Sequence, residues 1–250
     1  MDTWKFYDVT HREHVVCNPT NEAKLARLVG LLRLARGARV VDVASGKGEF
    51  LVRLAEAYGV SALGIDISPY FVGQARRRAA ERVPGADVTF TLMDGAQFRP
   101  ERPHEFTLAS CLGASWIFRG HRGTLEALVR LVEPGGWVIA GEPYWLRDPA
   151  PEYLAGTGDH REDFGTHESN AQTGEALGLR LVHTIVSSPD DWDVYEGLQW
   201  YAADEFARTH PDDPDVAEIT ARVAKQKAAY LRWGRDTLNW AIYVFRRPVG

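Results

Sequence analysis

The residues from Val40 to Ala57 constrain the fold of this chain more than any other stretch. The run 40–43 is mostly β-branched and is short enough for a buried strand. The segment 50–57 repeats apolar residues at the spacing of a helix face. The turn between them is rich in small residues, and Gly46 and Gly48 have no Cβ to keep a ligand from the backbone. Because the start of a helix leaves N–H groups free for an anionic group, this turn is predicted to bind a nucleotide or a nucleoside.

Short apolar runs alternate with helical patterns along most of the chain, which is typical of βαβ units with a mainly parallel sheet. The 250 residues are enough for one core, so the sequence predicts a single α/β domain. The expected strands are 40–43, 61–67, 88–93, 105–112, 137–141, 179–186 and 238–245. The expected helices include 124–132, a short one at 173–177, and two inserted ones at about 191–209 and 215–234. Residues 147–169 are rich in Pro, Gly, Asp and His and are expected to form a long loop over the carboxyl ends of the strands.

The overall composition limits the partners and the compartment. The net charge of −5 argues against broad binding of a phosphate backbone, which needs a basic face. No apolar run is long enough to cross a bilayer, and the first residues lack the layout of a signal peptide. The two cysteines cannot form a disulfide framework, so the chain is expected to be cytoplasmic. His11 and His14 supply too few ligands for a metal ion, and no metal site is predicted.

Three acids come at the ends of successive expected strands, namely Asp42, Asp66 and Asp94. In a doubly wound sheet the ligand lies across the carboxyl ends of the strands, so these acids are expected to line one edge of one cleft. Such a row disfavours a pyrophosphate but suits a ligand with hydroxyls, an amino group and a positive charge, and S-adenosylmethionine has all three. A dinucleotide-binding turn needs a small residue at its third position, where this chain has Leu51.

The chain resembles the class I S-adenosylmethionine-dependent methyltransferases from Ala38 to Trp145. The family pattern Asp-x-Gly-x-Gly-x-Gly stands here as residues 42–48, with Ala44 in place of the first glycine. A closer likeness is to a group of uncharacterised bacterial methyltransferases. It rests on Asn18-Pro19, Cys111-x-Gly113-Ala114-x-Trp116 and residues 141–145, and it names no substrate.

The resemblance implies a doubly wound, mainly parallel sheet of seven strands in the order 3-2-1-4-5-7-6, ending in an antiparallel hairpin. It also implies S-adenosylmethionine as the methyl donor and S-adenosylhomocysteine as the product. Within a single domain over 1–250 we expect an N-terminal helical cap at 1–36 and a Rossmann-like core at 37–189 and 237–250. A helical insertion or lid is expected at 190–236, before the last strand.

The resemblance also implies which residues bind the cofactor. It places the methionine part against residues 44–46, the ribose hydroxyls on Asp66 and the adenine against Ile67. Asp94 and the N–H of Ala96 would bind the adenine edge. Cys111, near the end of the fourth expected strand, would lie where the family passes under the methionine part. The full set of expected cofactor residues is Asp42, Ala44, Ser45, Gly46, Gly48, Asp66, Ile67, Asp94, Gly95, Ala96 and Cys111.

Aromatic residues are expected to surround the acceptor, because several of them directly follow strand ends. The expected substrate pocket is Tyr7, Trp116, Tyr144 and Trp145, and the inserted helices add Trp192, Tyr195, Trp200 and Tyr201. Glu142 follows the fifth expected strand, and the hypothesis is that it orients or deprotonates the acceptor. His14, from the N-terminal segment, is the second candidate for a base.

These observations predict methyl transfer from S-adenosylmethionine to a nitrogen, oxygen or sulfur atom of a small-molecule acceptor. The alternatives are a nucleic-acid methyltransferase, a non-catalytic S-adenosylmethionine-binding protein and an NAD-binding oxidoreductase. The acidic charge balance disfavours a nucleic-acid partner, and no membrane partner is expected. The chain is expected to be a monomer or a homodimer.

Overall fold

A computed structural model describes residues 1–249 and contains one seven-stranded sheet in the order β3-β2-β1-β4-β5-β7-β6. The first five strands run parallel, whereas β7 is antiparallel to both β5 and β6. This arrangement confirms the predicted strand order and fold class. The strands are β1 (Arg39–Val43), β2 (Ser61–Asp66), β3 (Val88–Leu92), β4 (Phe106–Leu112), β5 (Val132–Trp145), β6 (Arg180–Val186) and β7 (Leu238–Arg246).

Helices cover both faces of the sheet. Because side chains alternate along a strand, Val40 packs into an apolar cluster with α2, α3 and α4, whereas Val41 packs into a second cluster with α5. The helices are α1 (Thr3–Thr10), α2 (Glu22–Leu32), α3 (Glu49–Tyr58), α4 (Pro69–Arg82), α5 (His121–Val129), α6 (Pro151–Thr157), α7 (His167–Ala176), α8 (Pro189–Thr209) and α9 (Val216–Ala229). In residues 1–249, no helix has the length and apolar character needed to cross a membrane.

A third apolar cluster joins the N-terminal helix to the two helices inserted between β6 and β7. Phe6 and Val9 of α1 pack with Phe206 of α8 and with Ile219 and Val223 of α9. Outside this cluster, Lys5 Nζ is 2.7 Å from one carboxylate oxygen of Asp213 and 2.7 Å from one of Asp215. Both acids lie between α8 and α9. The first helix therefore folds against a part of the chain about 200 residues away.

The structure corrects two sequence predictions about the second half of the chain. Residues 147–169 are not a long loop, because they contain α6, a 3₁₀ turn at Arg161–Asp163 and the start of α7. Tyr153 of α6 is buried, and Thr166 and Ser169 form a reciprocal cap at the start of α7. These short helices lack an apolar stripe long enough to be recognised in the sequence.

The fifth strand is the second correction, because it runs from Val132 to Trp145 rather than over 137–141. It pairs with β7 from Trp137 to Trp145, so its length is set by a partner about 100 residues later in the chain. The predicted helix at 124–132 accordingly ends at Val129. The predicted helix at 215–234 ends at Ala229 and continues as a π-helical turn over Tyr230–Gly234.

Candidate active site

A cavity of about 950 Å³ lies at the carboxyl ends of β1, β2 and β4. One side, here called the cofactor wall, consists of residues 44–47, Asp66, Ile67 and residues 94–96. The opposite side, here called the acceptor wall, comes from the N-terminal segment, α6, α8, α9 and the π-helical turn. Its principal side chains are Tyr7, His11, Tyr153, Trp192, Tyr195 and Tyr230. Within the part of the chain that the structure describes, no three His, Cys, Asp or Glu residues are grouped to hold a metal ion.

The turn after β1 has left-handed backbone at Ala44, Gly46 and Gly48, with φ of 58°, 53° and 75°. A Cβ built on Gly46 would meet no atom within 4 Å, so this glycine faces open space in the cavity. A Cβ on Gly48 would lie 2.5 Å from Cζ of Phe90 in β3. Gly48 does not line the cavity; its place in the turn is explained by close packing against the sheet.

Asp66, the last residue of β2, is fixed by the backbone around it. Its two carboxyl oxygens accept the N–H groups of Gly46 and Ser68, each at 2.8 Å. Burial raises the pKa of this carboxyl, whereas the two N–H donors lower it. The next residue, Ile67, is 44% exposed and lines the cavity beside it. The cofactor wall therefore offers a fixed carboxyl acceptor next to an apolar surface.

The two other acids of the predicted row also line the cavity. Asp42 accepts a hydrogen bond of 2.6 Å from Ser110 Oγ, and burial raises the pKa of Asp42 to about 7. Asp94 caps a 3₁₀ turn at Gly95–Gln97 by accepting the N–H of Ala96 at 2.9 Å. Ala96 lines the cavity beside Asp94, and the role predicted for both residues at the adenine edge stays a prediction.

Lys47 connects the cofactor wall to the N-terminal segment. Its side chain is buried, and Nζ donates to the backbone oxygens of His11 at 2.6 Å, Arg12 at 3.2 Å and His14 at 3.1 Å. Burial lowers the pKa of this ammonium group. Position 47 is an unspecified position of the family pattern, and no local pattern signals a contact with a segment more than 30 residues away.

His11 and Tyr195 form a hydrogen-bonded pair in the acceptor wall. His11 Nε2 is 3.0 Å from Tyr195 Oη, and both residues line the cavity. Thr10 Oγ1 donates to the backbone oxygen of Phe6 at 2.9 Å and lies 3.1 Å from His11 Nδ1. Burial lowers the pKa of His11 to about 3, so its imidazole is neutral. Neither residue was predicted as a catalytic group.

Neither predicted base reaches the cavity. His14 is buried, with Nε2 at 2.8 Å from the backbone oxygen of Tyr195, and burial lowers its pKa to about 4. Glu142 is 1% exposed and accepts a hydrogen bond of 3.0 Å from Ser115 Oγ. The second carboxyl oxygen of Glu142 faces His121 Nδ1 at 3.8 Å, and burial raises the pKa of Glu142 to about 8. Their side chains face protein groups behind the cavity lining, which corrects the proposal of either as the base.

Two of the four residues predicted for the substrate pocket line the cavity, and two do not. Tyr7 and Trp116 line the cavity, and Trp116 is 73% exposed. Tyr144 is buried and accepts a hydrogen bond of 3.0 Å from Asn239 Nδ2, whereas Trp145 donates through Nε1 to the backbone oxygen of Arg161 at 2.9 Å. The prediction for this second pair is wrong in placement, because β5 continues to Trp145 and holds both residues in the sheet.

Cys111 does not line the cavity, which corrects its predicted place beside the methionine part. It lies inside β4, is fully buried, and packs in the apolar cluster with α5. Leu112, Gly113 and Ala114 line the cavity instead. The remaining predicted cofactor residues, apart from Gly48, all line the cavity; their binding roles stay predictions.

The sheet order, the left-handed turn and the fixed acid at the end of β2 define a nucleoside-binding α/β protein. Residues 40–136 match a family model described as a methyltransferase domain. The chain is 32% identical over 245 residues to the uncharacterised protein YjhP of Escherichia coli K12, covering 97% of this chain and 98% of that protein. It is 28% identical over 209 residues to a 27-O-demethylrifamycin SV methyltransferase from Amycolatopsis mediterranei, covering 82% of this chain and 70% of that protein.

The structure is also similar, with a TM-score of 0.90 and 32% identity, to a methyltransferase from Geobacter sulfurreducens in complex with S-adenosylhomocysteine. That match covers 96% of this chain and 97% of the other. The chain therefore belongs to the class I S-adenosylmethionine-dependent methyltransferases. Its methyl donor is S-adenosylmethionine, which favours the methyltransferase over the nicotinamide alternative.

The residues of the cofactor wall fit this donor chemically. The open space at Gly46 allows a ligand to approach the backbone, and the fixed Asp66 carboxyl suits hydroxyl donors. Ile67 offers an apolar surface for a flat ring. When bound, the donor supplies an activated methyl group, so the protein has to bind, align and shield the reactants.

Proposed function

We propose that this enzyme methylates a nitrogen, oxygen or sulfur atom of a small molecule bound against the acceptor wall. The observation that carries this proposal is the continuity of the cavity, which passes from the cofactor wall to the aromatic acceptor wall. The O-methylation named for the Amycolatopsis relative supports a heteroatom acceptor. Aromatic side chains such as Trp192 and Tyr230, which stack with ring centroids 6.4 Å apart, favour an acceptor with a flat or apolar part.

The size and the charge of the molecule support a small acceptor over a nucleic acid. Ligand cavities typically measure about 300–1,000 Å³, so a volume of about 950 Å³ suits the donor together with a small acceptor. The net charge of −5 disfavours a broad phosphate-binding surface. Holding two reactants in near-attack geometry lowers a barrier by roughly 7–11 kcal/mol, so alignment by the two walls supplies much of the catalysis.

The test has a binding step and a turnover step. Calorimetry with S-adenosylmethionine, S-adenosylhomocysteine and NADH should show binding of the two adenosyl ligands and no binding of NADH. The enzyme is then incubated with S-adenosylmethionine and panels of phenols, alcohols, amines, thiols, transfer RNA and duplex DNA. We expect S-adenosylhomocysteine release and a mass gain of one methyl group with small molecules. Methylation confined to the nucleic acids would contradict the proposal.

Asp66→Asn is the matched loss-of-binding variant for these assays. The substitution replaces one of two carboxyl oxygens by a donor that opposes an N–H group of Gly46 or Ser68. We expect about 30-fold weaker binding of S-adenosylhomocysteine, equivalent to roughly 2 kcal/mol. Asp204→Asn, an exposed site on α8, should bind the ligand as the wild type does. Equal affinity for both variants would remove Asp66 from the cofactor site.

A further inference from the structure

The hydrogen bonds around His11 define where its proton lies. Thr10 Oγ1 uses its own hydrogen on the backbone oxygen of Phe6, so it is left to accept the Nδ1–H of His11. His11 Nε2 then carries a lone pair, and the hydroxyl of Tyr195 donates to it across 3.0 Å. Tyr195 also lines the cavity, and its hydroxyl oxygen has lone pairs that can accept a proton. The pair is therefore arranged to take a proton at Tyr195 and pass the tyrosine proton to His11.

The pair is held beside the cofactor wall from both sides. Lys47, next to Gly46 in the turn, donates to the backbone oxygen of His11 at 2.6 Å. His14 Nε2 lies 2.8 Å from the backbone oxygen of Tyr195, so His14 holds α8 at this position. His14 is thus a positioning residue rather than a base. Because these contacts use backbone oxygens, changing the side chain of His11 or Tyr195 leaves them in place.

We propose that the acceptor is a hydroxyl compound, and that Tyr195 and His11 remove its proton during methyl transfer. This inference rests on the proposed function and narrows its acceptor to an oxygen nucleophile. The acceptor oxygen forms a bond to the methyl carbon of the donor, and the carbon–sulfur bond breaks with its electron pair remaining on sulfur. The hydroxyl proton moves to Tyr195 Oη as the tyrosine proton moves to His11 Nε2, which leaves a neutral ether, a neutral thioether and an imidazolium.

The neutral resting state of His11 is compatible with this step. Burial, the neighbouring His14 and Lys47 lower the pKa of His11 to about 3, so the imidazole is unprotonated before the reaction. As the new carbon–oxygen bond forms, the hydroxyl becomes an oxonium-like group that is a much stronger acid than the free alcohol or phenol. Even a weakly basic imidazole can then accept the proton. An amine acceptor would not need this proton transfer, because its methylated product is stable as an ammonium ion.

The first test is spectroscopic and needs no acceptor. In the ¹⁵N spectrum of histidine-labelled enzyme with S-adenosylhomocysteine, His11→Gln assigns the His11 signals. We expect a neutral ring at neutral pH, with the proton on Nδ1 and a hydrogen-bonded, unprotonated Nε2. Tyr195→Phe should shift the Nε2 signal to the position of a nitrogen without a hydrogen bond. A ring protonated on Nε2 overturns the proposal whatever the enzyme methylates.

The second test measures turnover of matched phenols, alcohols, anilines and alkylamines. Tyr195→Phe and His11→Gln should each lower kcat for hydroxyl acceptors by about 100-fold, and the double variant should be no slower than either single variant. The KM for S-adenosylmethionine and the Kd for S-adenosylhomocysteine should stay within about twofold of wild type, because the cofactor wall is unchanged. Asp204→Asn, at an exposed site on the same helix, is again the control.

The outcomes separate this inference from the proposed function. If no small molecule is methylated, the proposed function fails and the role of the pair fails with it. If only amines are methylated, or if hydroxyl compounds are methylated at full rate by both variants, the proposed function stands and the role of Tyr195 and His11 is overturned. A loss confined to hydroxyl acceptors, with intact binding of S-adenosylhomocysteine, supports both.

Discussion

The cofactor wall and the acceptor wall of the cavity are built in opposite ways. The cofactor wall comes from residues 44–96, where Asp66 and Asp94 each lie beside a turn at a strand end, and Asp42 lines the cavity just before this range. The acceptor wall brings together residues near the N-terminus with residues of α6, α8 and α9, more than 130 positions later in the chain. The first wall therefore depends on local backbone geometry, whereas the second depends on long-range packing.

The two walls also differ in which groups form hydrogen bonds with their polar side chains. In the cofactor wall, backbone N–H groups satisfy both oxygens of Asp66, so the acid is fixed by the turn itself. In the acceptor wall, side chains satisfy one another, as His11 does with Tyr195 and Thr10. A substitution in the cofactor wall should therefore disturb local backbone geometry, whereas a substitution in the acceptor wall should disturb contacts between distant segments.

The largest effect is expected from Gly48→Ala, which tests the local geometry of the turn. The new Cβ would lie 2.5 Å from Phe90 Cζ and 2.9 Å from Ala75 Cβ, at a φ of 75°. We expect the free energy of unfolding to fall by roughly 3 kcal/mol or more, measured by urea denaturation. Gly73→Ala, in α4 with no atom within 4 Å of the added Cβ, should instead gain about 0.5–1 kcal/mol. Equal stability of both variants would mean that close packing does not fix this turn.

Glu142→Gln tests whether the acid behind the acceptor wall is structural. Burial raises the pKa of Glu142 from 4.5 to about 8, so the folded wild type binds a proton that the unfolded chain releases between these values. Wild-type stability should therefore fall as the pH rises from 5 to 8, and the glutamine variant should lack this loss. Denaturation curves across this range should show that the free energy of unfolding of the variant rises relative to that of wild type by roughly 3 kcal/mol.

The same variant separates a structural from a catalytic role. Because the Glu142 carboxyl faces Ser115 and His121 behind the cavity lining, methyl transfer by Glu142→Gln should stay within about twofold of wild type. Burial lowers the pKa of His121 to about 4, and this residue is present in both proteins. Val194→Ala, at an exposed and uncharged site on α8, is the control and should keep the wild-type pH trend. A sharp loss of turnover without a pH-dependent stability change would restore Glu142 as a catalytic residue.

Lys47→Met tests the connection between the two walls. The change leaves three backbone oxygens, those of His11, Arg12 and His14, without their ammonium donor. We expect faster amide hydrogen exchange over residues 11–18 and about tenfold weaker binding of S-adenosylhomocysteine, because binding must then order this segment. Lys227→Met, at an exposed lysine of α9, is the control. Unchanged exchange over residues 11–18 would show that packing alone holds the segment.

The smallest effect is expected from Trp116→Ala at the edge of the cavity. The ring is 73% exposed, so its loss should change the free energy of unfolding by less than about 0.5 kcal/mol. A rise of about threefold in the KM of an acceptor, with kcat unchanged, would mark it as a binding residue used equally in the ground and transition states. No change in either constant would leave Trp116 as a surface residue.

Whether a predicted residue lies in the cavity depends on how the end of its strand is determined. Asp42, Asp66 and Asp94 could be placed from the sequence because each lies within two residues of the end of a short parallel strand, and parallel strands end at one edge of a sheet. Glu142, Tyr144 and Trp145 were misplaced by the same rule, because pairing with β7 extends β5 well beyond its apolar run. The end of an apolar run therefore does not mark the end of a strand when pairing with a distant strand, such as that of β5 with β7, extends it.

The sequence by itself determined the fold class, the strand order through its family motif, the glycine turn and the methyl donor. The fold class, the glycine turn and the acid at the end of β2 leave a local pattern of apolar spacing, glycines and acids. The strand order and the methyl donor came instead from the family motif, because the pairs β1–β4 and β5–β7 join residues about 70–110 positions apart. Tertiary structure alone decided the acceptor wall, including the pairing of His11 with Tyr195 and the contact of Lys47 with the N-terminal segment. Such contacts join residues that are 33–184 positions apart, and at that distance only packing of the whole chain brings them together.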